Sequence, residues 1–384
     1  MLPASGPRRL PFTFPPPTAT LSGMQPQLGE NRSLFRCPPS AFLVAVAVCL
    51  LLLAGCRPGK PRDVAATIRG ETMGTTYSVK LAALPEGKTA DDVKARIDAR
   101  LETVNRQMST WRKDSEISRF NAHAGTDWFP VSADTMTVLA EAQRISELTG
   151  GKFDVTVMPL VNLWSFGPEN RPRKTPTDEE IARRKTSVGY RLLELRVHPP
   201  AVRKKRGDVT VDLSAIAKGF GVDRVAGELD LLGVSGYMVE IGGEVRCNGT
   251  KADGRPWQIG IQSPANSRDS AHRVVALRDR NRAMATSGDY RSYFEEAGKR
   301  YSHTIDPHTG RPVTHRLASV SVVAGNCMIA DGLATAIMVL GPEAGYNLAM
   351  KENLAVLLLV ADGKGFVEKT TPEFQRLKKA SGDR

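Results

Sequence analysis

The stretch GYMVEIGGEVRCNG, residues 236–249, constrains the fold more than any other part of the chain. Two short runs rich in β-branched and apolar residues flank Gly242-Gly243, and a glycine pair supplies the backbone angles that a tight reversal requires. The runs read as neighbouring strands of a hairpin or meander. PWQIGIQSP (256–264), HRVVALRDR (272–280) and LASVSVVAG (317–325) add three strand signals, whereas CMIADGLATAIMVLGPE (327–343) reads as a helix closed by Gly341 and Pro342. Strands and helices that do not alternate regularly favour an α+β architecture over a doubly wound sheet.

The earlier chain adds helices. In TIRGETMGTTYSVKLAAL (67–84), Thr76, Ser78 and Lys80 alternate with Tyr77, Val79 and Leu81, which predicts a strand. Thr89 caps a following helix whose Val93, Ile97, Leu101, Val104 and Met108 form one apolar stripe. A second helix spans 133–149 between Ser132 and Gly150-Gly151, and Thr177 with Glu180 makes a capping box for a third. KFDVTVMPLVNLWSF (152–166) reads as an extended, buried crossing. DVTVDLS (208–214) reads as a strand leading into a helix over about 213–232, with Asp212 at its N-cap and Gly233 at its end.

At 384 residues with 41% apolar content, the chain buries a substantial core. Its net charge is +12, or +9 without residues 1–56, and the excess is dispersed. RKKR (203–206) reads as a solvated turn between two strands; no aromatic residues accompany it, which argues against nucleic-acid binding. AFLVAVAVCLLLLAGC (41–56) has the length of a signal-peptide core and is too short for an ordinary membrane span. It ends in Leu53-Ala54-Gly55-Cys56, as bacterial lipoprotein signals do, so residues 1–55 are expected to be a signal peptide with Cys56 lipidated. Met24 is the expected start, with Arg32 and Arg36 as its basic flank. Residues 56–65 then form a linker and 66–384 the functional domain, anchored by lipid and facing the periplasm. Which membrane holds it stays open. Cys247 and Cys327 are left to pair or to stay buried and free.

Three segments carry chemistry. Asp331 and Thr335 lie four apart on one helix, so a carboxylate and a hydroxyl face one point, suited to a hard cation. The bland reading is that Asp331 only suits a helix N-terminus. Lys218 lies near a helix start among Ala215, Ala217, Gly219 and Gly221, either to admit a phosphate or for close packing. SYFEEAGKRYSHTIDPHTGRPV (292–313) crowds His303, Asp306 and His308 into one segment.

Taken in order, ETMGTTYSV, MSTWRKDSEISRFN, GGKFDVTVMPLVNLW, DLSAIAKGFGVDRV, EIGGEV, AMATSGDYR, YSHTIDPHTGRPV and ADGLATA resemble the successive motifs of the ApbE family, the FAD:protein FMN transferases. The resemblance covers about residues 66–370. Ser214 stands where the family often has Gly, and Gly332 where Ala is commoner. It implies a single α+β domain of mixed, largely antiparallel sheets packed with helices, in two lobes around an FAD cleft. It further implies Mg²⁺-dependent transfer of FMN from FAD to a Thr or Ser of an exported flavoprotein, such as a membrane redox-complex subunit, with release of AMP. The implied metal ligands are Asp331, Thr335 and the Ala215 carbonyl. The implied FAD contacts are Met73, Trp111, Lys152, Phe153, Asp154, Asp212, Lys218 and the segment from His303 to Ile305. His303 is the expected proton acceptor, with Asp306 either orienting it or binding ligand, while His308 and the TGRP turn are expected to be structural. Two rivals use the same residues: a Mg²⁺-dependent FAD pyrophosphatase and a periplasmic FAD-binding lipoprotein.

Overall fold

The hairpin at 237–248 lies within an eight-stranded sheet whose spatial order equals its chain order, every neighbouring pair being antiparallel. Its strands are β1 (Ala66–Thr72), β2 (Thr75–Leu81), β3 (Tyr237–Ile241), β4 (Glu244–Asn248), β5 (Arg282–Gly288), β6 (Leu317–Ala324), β7 (Ala355–Asp362) and β8 (Gly365–Thr370). This computed structural model describes residues 63–169, 171–264, 271–277, 282–288, 293–296, 298–363 and 365–381. The signal segment, Cys56 and Asp289-Tyr290-Arg291 of the AMATSGDYR motif lie outside the described residues. Among the described residues no helix is long and apolar enough to cross a membrane.

The longest excursion from the meander is residues 82–236. It holds helices α1 (Ala90–Met108), α2 (Glu116–Ala122), α3 (Ala133–Leu148), α4 (Met158–Leu163), α5 (Asp178–Lys185) and α6 (Ala217–Leu231). Helices α7 (Cys327–Leu340) and α8 (Pro342–Lys351) join β6 to β7, and α9 (Pro372–Ser381) follows β8.

Burial follows the expected periodicity where the pattern was regular. Val93, Ile97, Leu101, Val104 and Met108 are all buried along α1, which a Thr89–Asp92 capping box opens. Val93, Ile97 and Leu101 pack with Tyr77 and Val79 of β2, Ile241 of β3 and Val222, Val225 and Leu229 of α6. Truncating any one of these to Ala costs about 2–5 kcal/mol. Beneath α7, Val320, Val322 and Leu358 face Leu333 and Ile337. From the same strands, Val323, Leu357 and Leu359 face the other way, onto Trp257, Ile259, Ile261, Val275, Leu277 and Phe374. Strands covered on both faces favour apolar residues at every position, which accounts for the apolar run 355–361 of β7; in β6 two serines, Ser319 and Ser321, are buried among the apolar residues. A further cluster joins Leu160, Leu163, Trp164 and Ile181 to Phe294 and Ile305 beneath the histidine segment.

Four readings change. The first strand is two, β1 and β2, which reverse at Met73-Gly74, both at positive φ. Residues 155–163 coil as a 3₁₀ turn and α4 instead of crossing extended: Asp154 caps Thr156, and Pro159 suits a helix start. Residues 208–216 form no strand, and α6 starts only at Ala217, because Asp212 folds its carboxylate back onto the Ser214 amide and so cannot cap the helix. Lys204 of RKKR is buried, its ammonium donating to the carbonyls of Asn121 and Gly207 over the Phe120 ring. The thiols of Cys247 and Cys327 are buried and unpaired with each other.

Candidate active site

Helices α6 and α7 cap each other, and this places the acidic centre of the site. The Gly219 amide, at the third position of α6, donates to Asp331 Oδ2 of α7 at 2.9 Å, where a local N-cap would normally accept. In return Asp223 of α6 accepts from the Cys327 and Met328 amides at the start of α7, supplementing Asn326. Asp331 thus does serve a helix N-terminus, that of the neighbouring helix, and the bond occupies one carboxylate oxygen. Only glycine permits this approach: a Cβ on Gly219 would lie 2.3 Å from the Cys327 carbonyl oxygen.

Around this pair lies a cavity of about 730 Å³ lined by Trp111, Lys152, Phe153, Asp154, Asp212, Ala215, Lys218, His303, Ile305, Asp331 and Thr335. Of the residues singled out in the sequence, Met73, Asp306 and His308 do not line it. Met73 lines an adjoining groove with Trp111, Asp212, Ser214 and Lys218, and its side chain also packs on the core. Trp111 is 70% exposed at the junction of the two spaces, which rules out core packing as its role.

The cavity walls are rigidly tied. The Asp212 amide donates to the Val155 carbonyl at 2.8 Å, joining the Lys152–Val155 wall to the α6 start. Asp154 accepts from the Thr156 amide through one oxygen and from the Tyr190 amide through the other. Its carboxylate is therefore structural, and what this segment offers a ligand is backbone and apolar surface. Lys152 Nζ pairs with Asp306 at 2.8 Å, and Asp306 also accepts from the His308 amide. His308 Nε2 contacts the Gly150 carbonyl, and the Trp164 indole donates to the Gly310 carbonyl, so the turn after Asp306 is built into the framework. The His303 ring stands edge-on to Phe166, centroids 6.3 Å apart.

Lys218, Glu244 and Asp331 form one interacting charged group in the cavity. Lys218 Nζ lies 2.7 Å from Glu244 Oε1. Burial disfavours the ammonium, but Asp331 and Glu244 outweigh it and hold the Lys218 pKa above its ordinary value. Burial pushes the Glu244 carboxyl up to about 7, opposed by Lys218. Asp331 is raised by burial too, against the pull of Lys218 and the Gly219 amide. Thr335 Oγ1 lies 3.2 Å from Ser287 Oγ of β5.

Among the described residues no three His, Cys, Asp or Glu side chains cluster as a metal cage. The available donors are the Asp331 carboxylate, the Thr335 hydroxyl and the Ala215 carbonyl, all oxygens on one cavity. One carboxylate with neutral oxygens fits Mg²⁺, which keeps waters and takes its remaining ligands from substrate phosphates. Glu244 Oε2, buried with no hydrogen-bond partner among the described residues, lines the same cavity.

Residues 73–358 match the ApbE family. The chain belongs to that family. An ApbE relative from Vibrio cholerae serotype O1, an FAD:protein FMN transferase, is 48% identical over 87% of this chain and 98% of its own length. A second FAD:protein FMN transferase, from Haemophilus influenzae, is 46% identical over 87% of this chain and 96% of its own length. The structure of flavin transferase ApbE from Vibrio cholerae superposes with a TM-score of 0.75 at 47% identity, covering 81% of this chain and 98% of that one. ApbE architecture is α+β, as the order of elements here requires.

Glu244 and Phe166 are among the cavity residues that escaped the sequence reading. Glu244 was passed over within a glycine turn, although an acid at the helix-facing start of a buried strand is itself a signal. Phe166 was read as core.

Proposed function

We propose that this ApbE-family chain transfers the FMN half of FAD to a Thr or Ser hydroxyl of a target protein and releases AMP. The observation that carries the reading is the single cavity where Asp331, Thr335, Ala215, Lys218, His303 and the Lys152–Asp154 wall meet. FAD is long, with aromatic ends and an anionic centre. The cavity and its adjoining groove offer matching parts: apolar surface from Trp111, Met73, Phe153 and Ile305, and a cation in Lys218.

In the transfer, the acceptor hydroxyl oxygen forms a bond to the FMN phosphorus while the bridging bond to the AMP phosphate breaks. His303 takes the hydroxyl proton, since a neutral imidazole is a competent base near neutral pH. Lys218 neutralises charge on the phosphoryl oxygens, and Glu244 and Asp331 keep that lysine protonated. Phe166 braces the imidazole, and its ring with the Val161 side chain, both on the cavity wall, would keep water from the reacting atoms. A Mg²⁺ ion held by Asp331, Thr335 and the Ala215 carbonyl would supply neutralisation of the diphosphate.

The same proposal includes export and lipidation at Cys56, supported by the apolar run before it, with the target a periplasmic or membrane flavoprotein domain. The test is incubation with FAD, Mg²⁺ and a co-expressed exported flavoprotein, followed by mass spectrometry. A Thr or Ser carrying the added mass of FMN, lost with EDTA and with His303→Ala, is expected. Free FMN with an unmodified target would replace transfer with hydrolysis, and intact FAD would leave binding alone.

A further inference from the structure

Glu244 opens β4 directly after the Gly242-Gly243 turn. Along β4, Val245 and Cys247 enter the core on one face, while Glu244 and Arg246 point to α6, meeting Lys218 and Asp223. Glu244 is 3% exposed and lines the cavity. Its Oε1 is taken by Lys218, whereas Oε2 has no hydrogen-bond partner among the described residues. Leaving a buried carboxylate oxygen unmatched is costly, and Asp154 in the same cavity shows the usual solution, with amides on both oxygens. An apolar side chain would fill the space of Glu244 without that cost. The unmatched oxygen therefore points to a donor that arrives with the ligand.

We propose that Glu244 Oε2 accepts a hydrogen bond from a sugar hydroxyl of the bound dinucleotide, next to its diphosphate. The proposal rests on the FAD reading above. In its carboxylate form, which the Lys218 ammonium favours, Oε2 can only accept and repels phosphate oxygens and the carbonyls of a flavin, so in that form it pairs with an O–H or N–H. Glu244 is one side chain removed from Asp331, through Lys218, which sets it at the diphosphate end of the cavity. The donors that flank a diphosphate in FAD are the hydroxyls of ribose and of the ribityl chain; the ring N–H groups lie beyond them.

The experiment is flavin-fluorescence titration of the full chain with Mg²⁺ and no acceptor protein. Its ligands are FAD, an analogue lacking the ribose 2′- and 3′-hydroxyls, and analogues lacking single ribityl hydroxyls. A hydrogen bond to a charged acceptor corresponds to a roughly 10- to 100-fold change in Kd. Native protein is expected to bind one analogue that much more weakly than FAD, and the identity of that analogue assigns the sugar. Glu244→Leu should bind FAD and that analogue alike, and Glu244→Gln, which restores an acceptor oxygen, should recover part of the difference. Native protein that binds FAD yet ignores every missing hydroxyl overturns this proposal alone, as does the same loss in native and Glu244→Leu protein. Native protein that binds no FAD overturns the flavin reading and this proposal with it.

Discussion

Replacing Gly219 by Ala tests the junction on which the acidic centre depends. The new Cβ would stand 2.3 Å from the Cys327 carbonyl oxygen and 2.8 Å from Asp331 Cβ. Neither atom is the tip of a flexible chain, so α6 and α7 must part by roughly 1 Å to restore ordinary contact. Such overpacking costs about 1–3 kcal/mol. Parting also stretches the 2.9 Å bond from the Gly219 amide to Asp331, and losing a hydrogen bond to a charged group costs about 1.5–3 kcal/mol. Ala favours a helix over Gly by about 1 kcal/mol, which offsets part of this. The net expectation is a destabilisation of about 1.5–5 kcal/mol. Urea unfolding monitored by circular dichroism measures it, as a lower midpoint with an unchanged slope. Displacing Asp331 should also raise the Mg²⁺ concentration needed for half-maximal turnover. A variant as stable as the native protein, or more so, would refute the close approach of the two helices.

Three further outcomes are expected. Asp331→Asn keeps an oxygen for the Gly219 amide but weakens cation binding, so turnover should fall about 100-fold or more, lose its response to Mg²⁺, and leave the melting temperature within a few degrees. The Tyr77 phenol, buried and donating to Asp98, is pushed up to about 12, so the folded state favours its neutral form. That contribution is complete below the ordinary value near 10 and is lost as pH climbs from 10 toward 12; urea titrations across this range should show an alkaline decline that Tyr77→Phe reduces. Burial pushes the Cys247 and Cys327 thiols up, so in protein starting at Arg57 Ellman's reagent should label neither under native conditions and both in denaturant.

What the sequence disclosed and what it concealed divide along physical lines. The α1 stripe, the Thr89 cap and the Thr177 box were legible because their partners lie within a few residues. The strands around Gly242-Gly243 were legible for the same reason, although their place in an eight-stranded meander was not. Val155-Thr156-Val157 misled because β-branched residues favour strands, while the deciding interactions run from Asp154 to Thr156 and Tyr190. The start of α6 misled because its cap comes from Asp331, far along the chain. In the site, Asp331, Thr335 and Lys218 stood out by spacing and composition, and the family's motifs marked His303 and Trp111. Glu244 did not stand out, since an unmatched oxygen becomes visible only once every neighbour is placed.

The meander has a consequence for how the molecule matures. Cavity walls at 152–155 and 212–218 leave the ribosome well before those at 284–288, 303–305 and 331–339. No dinucleotide can serve as a template for the early chain, because the lysine that would greet its phosphates waits for a helix made more than a hundred residues later. Ligand binding can only reward the finished protein, so a vitamin-starved cell should build the same enzyme, merely less resistant to unfolding.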